Sequence, residues 1–308
     1  MSQKIGNYTL GLEISGGGFG TCYEAWDDKN SKNVCIKKIK INSDKDIKSI
    51  ENEIEILKKM KSKHSVEFIN GIKENNYYYI IMELCDGDLN KLLTMKKGNL
   101  DIITIIKIMI QINEAFKLMR NKKIEHRDLK PENILIKFKN DEKDFDIKLT
   151  DYGLAKYYEN INSKYSRQIG TLYYTAPEVY KNEGNSKSDL WSIGIILFYL
   201  YFNQLPFNDF YDCIDLNKKV NLKKTNIKIL DDLLSKLIVK APENRINWDY
   251  YFIHPFNTQQ IIEIYVNIET DNTNCKIIDN DFKIEQLTNT TFYVDDINED
   301  FKTNINLK

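Results

Sequence analysis

The sequence predicts an α+β protein of two lobes, a small β-rich one followed by a larger, mostly helical one, and three observations carry that expectation. Apolar residues alternate with polar or small ones through much of the first 84 positions, the period-two pattern of half-buried strands. Beyond Cys85-Asp86-Gly87-Asp88 the pattern turns helical, with a strongly apolar helix expected from about Ile102 to Met119. A length of 308 residues is long for one compact core and suits a small domain packed on a larger one. The expected boundaries are 1–84 for the first lobe, 85–256 for the second and 257–308 for a C-terminal extension.

Taken in order, Leu10, Leu12 and Ile14 alternate with polar or small residues and run into the cluster Gly16-Gly17-Gly18-Phe19-Gly20. A second strand resumes from Cys22 to Trp26, and after the polar turn Asp27-Asp28-Lys29-Asn30 a third runs from Val34 to Ile41. Cys35, Lys37, Ile39 and Ile41 fall on one face of that strand. Ser43 with Asp46 three residues on reads as a capping box opening a helix to about Lys61, with Ile47, Ile50, Ile54 and Leu57 at helical spacing. Strands then follow from Val66 to Ile72 and from Tyr77 to Met82. In the extension, Ile262, Ile264, Val266 and Ile268 alternate with polar residues and Thr290 to Val294 repeats the pattern, so strands are expected there too.

Composition narrows the function classes. Forty-four basic against 45 acidic residues leave a net charge of −1, so no long-range field draws the protein to nucleic acid or to a membrane surface. Leu190 to Phe202, the most apolar stretch, is interrupted by Ser192 and Gly194 and is shorter than the ~20 residues that span a bilayer, so a buried helix is expected. Ser2 stands where myristoylation needs glycine, and no prenylation cysteine closes the chain, so no membrane anchor is expected. Five cysteines without paired spacing point to free thiols in a reducing compartment, the cytoplasm with the nucleus also open.

The most specific signal is His126-Arg127-Asp128-Leu129-Lys130-Pro131-Glu132-Asn133, followed 23 residues after Asp128 by Asp151-Tyr152-Gly153. Here the chain resembles the eukaryotic-type serine/threonine protein kinases, and the resemblance covers about residues 8 to 256. It implies a protein-kinase-like two-lobed fold and transfer of the γ-phosphoryl group of ATP, with Mg2+, to protein serine or threonine. Such a transfer needs a metal clamp on the triphosphate, a carboxylate near the attacking hydroxyl and a cation on the transferring group, because charge and positioning supply most of the catalysis. The resemblance assigns Asp128 to the substrate hydroxyl, Lys130 to the transferring phosphoryl, and Asn133 and Asp151 to magnesium, which suits an all-oxygen ligand set.

The same resemblance places the nucleotide. Ser15 stands where the first loop glycine is usual, while Gly17 and Gly20 keep the turn bare enough for backbone amides to approach phosphates, with Ile14 leading into it. Val34-Cys35-Ile36-Lys37 is similar to the family's lysine strand, with Cys35 in the place of alanine and Cys22 in the place of the valine over adenine. Glu53, on the apolar side of its helix, is the implied ion-pair partner of Lys37. In Ile80-Ile81-Met82-Glu83-Leu84-Cys85 the resemblance makes Met82 the gatekeeper and gives backbone groups of Glu83 and Cys85 to the base, with Asp88 near the ribose.

Gly170 to Glu178 is similar to the family's substrate-docking loop, and Thr171 with Lys130 matches its serine/threonine branch. The resemblance pairs Glu178 with Arg245 and sets Asp189 beneath the catalytic loop. Arg127 beside Asp128 implies a grip on an activation-loop phosphate, with Ser163, Tyr165 and Ser166 as acceptors and Ser166 favoured. The ending through His254-Pro255-Phe256 resembles calmodulin-dependent and autophagy-initiating kinases. Two other classes share the fold: a catalytically weak pseudokinase scaffold, disfavoured by the full set Lys37, Glu53, Asp128, Asn133 and Asp151, and a small-molecule kinase, disfavoured by the docking loop. The extension is the candidate surface for a protein partner.

Overall fold

The structure is a computed structural model that describes residues 3–18, 20–139, 144–157, 172–215, 218–225 and 227–258. The strands expected after residue 258 lie outside the described residues, as do Thr171, the candidate acceptors Ser163, Tyr165 and Ser166, and Cys275.

The first lobe is an antiparallel sheet with one helix. Its strands are β1 (Lys4–Ile5), β2 (Tyr8–Gly17), β3 (Gly20–Asp27), β4 (Lys32–Lys40), β5 (Phe68–Glu74) and β6 (Tyr77–Glu83), ordered β1-β2-β3-β4-β6-β5. The fifth begins two residues later than the alternation suggests, because Val66 leaves the sheet to bond with the second lobe through Leu149 O at 3.0 Å. Period-two alternation sorts the sheet into two faces. Val34, Ile36, Ala25, Tyr79 and Ile81 close a small core with Ile5 and Tyr8, while Cys35, Ile39, Ile80 and Met82 point to the main core. Bulges in the pairing of β2 with β3 break the expected alternation of Leu10, Leu12 and Ile14: Leu10 stays half-buried, Leu12 is exposed, and Ile14 is half exposed near the turn.

Between the fourth and fifth strands lies α1 (Asp44–Lys59). Asp46 reaches back to the Ser43 amide at 3.0 Å, closing the expected capping box, and Lys58 and Lys59 in the last turn suit the helix dipole. Its buried stripe is Ile50, Ile54, Ile56 and Leu57, with Glu53 inside it.

The second lobe opens with β7 (Gly87–Asp88), α2 (Leu89–Met95) and α3 (Ile102–Asn121), the last capped by Asp101 through the Thr104 amide at 2.8 Å. Then come β8 (Ile124–Glu125), β9 (Ile134–Phe138), β10 (Phe145–Leu149), β11 (Lys156–Tyr157) and α4 (Pro177–Tyr180). Helices α5 (Ser188–Phe202), α6 (Phe210–Ile214), α7 (Lys228–Leu237) and α8 (Trp248–Phe252) complete it. The apolar segment from Leu190 is indeed a buried helix: every residue of α5 from Ser188 to Phe198 is buried. Among the described residues no helix is long and apolar enough to cross a membrane. The short hairpins matter most for function. β9 pairs with β10, and β8 with β11, so the loops after β8 and β10 open side by side beneath the first lobe.

Candidate active site

The site is built where the two lobes face each other. From the sheet comes Lys37, directly across from Cys22 on β3 and from Ile80 on β6. Its ammonium meets Glu53 Oε1 at 2.7 Å and Asp151 Oδ1 at 2.9 Å, so one buried cation bridges β4, α1 and the turn after β10. Burial works against its charge, but the two carboxylates outweigh this and hold its pKa above the usual lysine value. Burial pushes the Glu53 carboxyl up against the opposing pull of Lys37. Burial would raise Asp151 too, yet Lys37 and, more weakly, His126 and Lys130 bring it below the ordinary carboxylate range, so it stands ready as an anion.

Asp151 adopts left-handed backbone geometry, φ 59°, at the start of the short 3-10 turn Tyr152–Leu154. Two contacts hold that turn. The Tyr152 ring is wholly buried with its hydroxyl 2.9 Å from Ser65 Oγ, which supplies the partner a buried tyrosine requires. Asn52 on α1 donates to Ala155 O at 3.0 Å. Neither Ser65 nor Asn52 carries a sequence signal, since each is defined only by a contact across 87 or 103 residues.

The loop after β8 supplies the rest. Asp189, at the start of α5, accepts the His126 and Arg127 amides, both at 2.9 Å, and Arg127 takes a left-handed φ of 69°. His126 Nε2 lies 3.1 Å from Thr150 O, tying this loop to the one bearing Asp151. Asp128 is buried, with Lys130 Nζ 3.2 Å from its Oδ2. Asn133 donates to Asp128 O at 2.8 Å, which fixes the amide and leaves its carbonyl oxygen as acceptor. That oxygen and the Asp151 carboxylate form a hard donor set that fits magnesium. Among the described residues no group of three His, Cys, Asp or Glu converges on a metal position, and a magnesium ion held by these two oxygens would keep several waters. Glu125, unremarked in the sequence, is buried just before this loop. Burial, then the nearby Asp189 charge, push its carboxyl up to about 8.

Around the cleft, Gly17 and Gly20 face each other across the β2–β3 hairpin. Gly20 has φ +124° and an added Cβ would lie 2.6 Å from Lys38 O, so the fold itself requires glycine there. An added Cβ at Gly17 meets nothing within 4 Å. Met82 is buried opposite Cys35, and Glu83 accepts the Glu67 amide at 2.8 Å and pairs with Lys148 at 2.8 Å. The half-buried Cys85 packs against the main core. Asp88 spends one oxygen capping α2 through the Lys91 amide at 2.8 Å, a structural task separate from any ligand. Further down, Arg245 grips Glu178 with two bonds, 2.8 and 3.0 Å, and Trp191 and Ser192 of α5 bond the carbonyls of Tyr173 and Tyr174.

The family model described as the protein kinase domain matches residues 8–257. The chain belongs to the protein kinase family. Among curated relatives, the "Probable serine/threonine-protein kinase fhkB" of Dictyostelium discoideum is 35% identical over 272 residues, covering 82% of this chain and 23% of that protein. The serine/threonine-protein kinase ULK3 of Rattus norvegicus is 30% identical over 265 residues, covering 82% and 55%. ATG1 of Pichia angusta, also named a serine/threonine-protein kinase, is 25% identical over 305 residues, covering 82% and 37%. This kinase chain thus spans from about a quarter to just over half the length of these three relatives. The β-rich first lobe and helical second lobe are the two-lobed kinase architecture.

Proposed function

We propose that the chain transfers the γ-phosphoryl group of ATP to serine or threonine hydroxyls of protein substrates. The observation that carries this is the single cluster in which Lys37 joins Glu53 to Asp151 while Asp128, Lys130 and Asn133 face the same cleft from the next loop. Lys37 is held charged where the α- and β-phosphates of a nucleotide would sit, and the sheet face of Cys22, Cys35 and Met82 roofs the adenine. Glu83 and Cys85 offer backbone groups to the base, Asp88 lies toward the ribose, and Ile14, Gly17 and Gly20 cover the phosphates. Asn133 and Asp151 would hold magnesium, which when bound would neutralise charge on the phosphates. Asp128 orients the substrate hydroxyl and accepts its proton, while Lys130, already beside Asp128, balances charge on the transferring group.

Asp128→Ala and Asp151→Ala separate these roles. Losing the base lowers peptide phosphorylation by ~10²- to 10⁴-fold with nucleotide affinity nearly intact. Losing Asp151 weakens magnesium-dependent nucleotide binding as well. A degenerate peptide library containing Ser, Thr and Tyr acceptors reads the hydroxyl class. Equal loss of nucleotide binding in both variants, or labelling of Tyr alone, would refute the reading.

A further inference from the structure

The roof of the cleft carries two thiols, and phosphoryl transfer uses their bulk but not their sulfur chemistry. Cys22 on β3 lies directly across from Lys37, and Cys35 is two residues along β4, so the pair are diagonal neighbours on one sheet face. Both are partly exposed and free. On that face the neighbouring Cys35, and after it the Lys37 ammonium and the Ser15 hydroxyl, favour a thiolate at Cys22. These contacts outweigh burial and the opposing charge of Asp151, so the Cys22 thiol lies below the ordinary cysteine value. The Cys35 thiol, beside Cys22 and largely desolvated, lies above it. One attacking thiol and one protonated neighbour are the two parts of a peroxide-sensing pair.

We propose that Cys22 and Cys35 form a reversible oxidation site for hydroperoxides whose cross-link closes the nucleotide cleft. The Cys22 thiolate attacks a peroxide oxygen, the O–O bond breaks, and Cys22–SOH and hydroxide form, sulfur losing the two electrons that the peroxide gains. The Cys35 thiol then attacks that sulfur, a disulfide forms, and one water leaves. Diagonal Cα atoms stand ~7–8 Å apart, just beyond the ~6.8 Å that disulfides span, so closure draws β3 and β4 together by about an ångström. Cys22 lies two residues from the Gly20 hairpin and beside the β2–β3 bulges, where the strand can follow. The resulting strain makes the bridge easily reduced, as a reversible site requires.

This rests on the cleft being the nucleotide site, and the test keeps the two apart. Full-length reduced chain is treated with hydrogen peroxide and mapped with trypsin, which separates Cys22 from Cys35 at Lys29 and Lys32. The expected result is a Cys22–Cys35 cross-link, blocked by a magnesium-bound non-hydrolysable ATP analogue and reversed by dithiothreitol. Affinity for a fluorescent ATP analogue should fall about ten- to a hundred-fold, since an ångström of misplacement has effects of that order. In Cys35→Ala the same treatment should leave a dimedone-trappable sulfenic acid on Cys22 and no cross-link, each variant being compared with its own untreated sample. Oxidation confined to Cys85, Cys213 or Cys275, or a cross-link with undiminished nucleotide affinity, overturns the proposal. Failure of the reduced chain to bind the analogue overturns the nucleotide reading itself.

Discussion

Replacing Lys37 with methionine is the sharpest probe of the cluster, because the side chain fits but the charge between two carboxylates is lost. In the wild type Lys37 touches Glu53 at 2.7 Å and Asp151 at 2.9 Å, with side chains only 8% and 5% exposed for the first pair. Removing the shared cation leaves the buried Glu53 carboxylate facing the partly buried Asp151 one, and breaking such a pair costs roughly 3–5 kcal/mol. At 2–4 °C per kcal/mol for a domain of this size, the expected fall in Tm at pH 7.5 is about 6–20 °C. Glu53→Gln should cost less, since Lys37 keeps Asp151. The loss should shrink with acid: without Lys37 both carboxyls have folded pKa values above their unfolded ones, so the penalty grows as pH rises through the unfolded range toward the folded one. Thermal melts of Lys37→Met against wild type between pH 5 and 8 measure this. A shift below 2 °C at pH 7.5, or one independent of pH, would show that the three groups do not form one buried network.

Other outcomes follow from the same geometry. Gly20→Ala should lower Tm, because its Cβ would sit 2.6 Å from Lys38 O, while Gly17→Ala should leave Tm unchanged and weaken ATP binding; equal effects on melting would count against this. Tyr152→Phe should cost about 1 kcal/mol by orphaning Ser65, and adding Ser65→Ala should recover part of it in a denaturant titration. Glu125 is raised from 4.5 to about 8, so it withdraws stability as pH climbs from the unfolded value through the folded one; Glu125→Gln should raise Tm more at pH 8 than at pH 5. Arg245→Lys should destabilise the second lobe almost as much as Arg245→Ala, because lysine cannot make both bonds to Glu178, and a near wild-type Tm would refute the bidentate role.

Much of this was legible in the residues because local rules and the fold agree there. The capping box at Ser43 and Asp46 announces α1, and period-two alternation alone puts Cys35 and Lys37 on one face. The loop at 126–133 is legible as eight consecutive residues, and the Glu178–Arg245 pair through the same resemblance. What escaped was either irregular or purely tertiary. The β2 bulges turned Leu12 outward, which no alternation count can foresee, and Val66 left the sheet for a bond to the other lobe. Ser65, Asn52 and Glu125 are ordinary letters whose importance comes from Tyr152, Ala155 and Asp189 respectively.

Two of the nine non-glycine residues that adopt left-handed φ among the described residues fall within the proposed site. Arg127 and Asp151 are both held at left-handed φ, 69° and 59°, a region costly for residues with a Cβ. Each stands beside a side chain implicated in transfer: Arg127 precedes Asp128, and Asp151 is itself a proposed magnesium ligand. Such conformations persist only when the surroundings over-determine them. Here Asp189 accepts the amides of His126 and Arg127 leading into the first kink, and the buried Tyr152–Ser65 bond anchors the turn that follows the second. His126 joins the two by reaching Thr150 O, so neither loop can relax without disturbing the other. Asp189→Ala should therefore free the Arg127 backbone and lower kcat while Km for ATP changes little, because Lys37 and Asp151 are held from the other side by Glu53. Steady-state kinetics at saturating peptide would show it; an unchanged kcat would mean that the loop keeps its shape without Asp189 and that the brace is redundant.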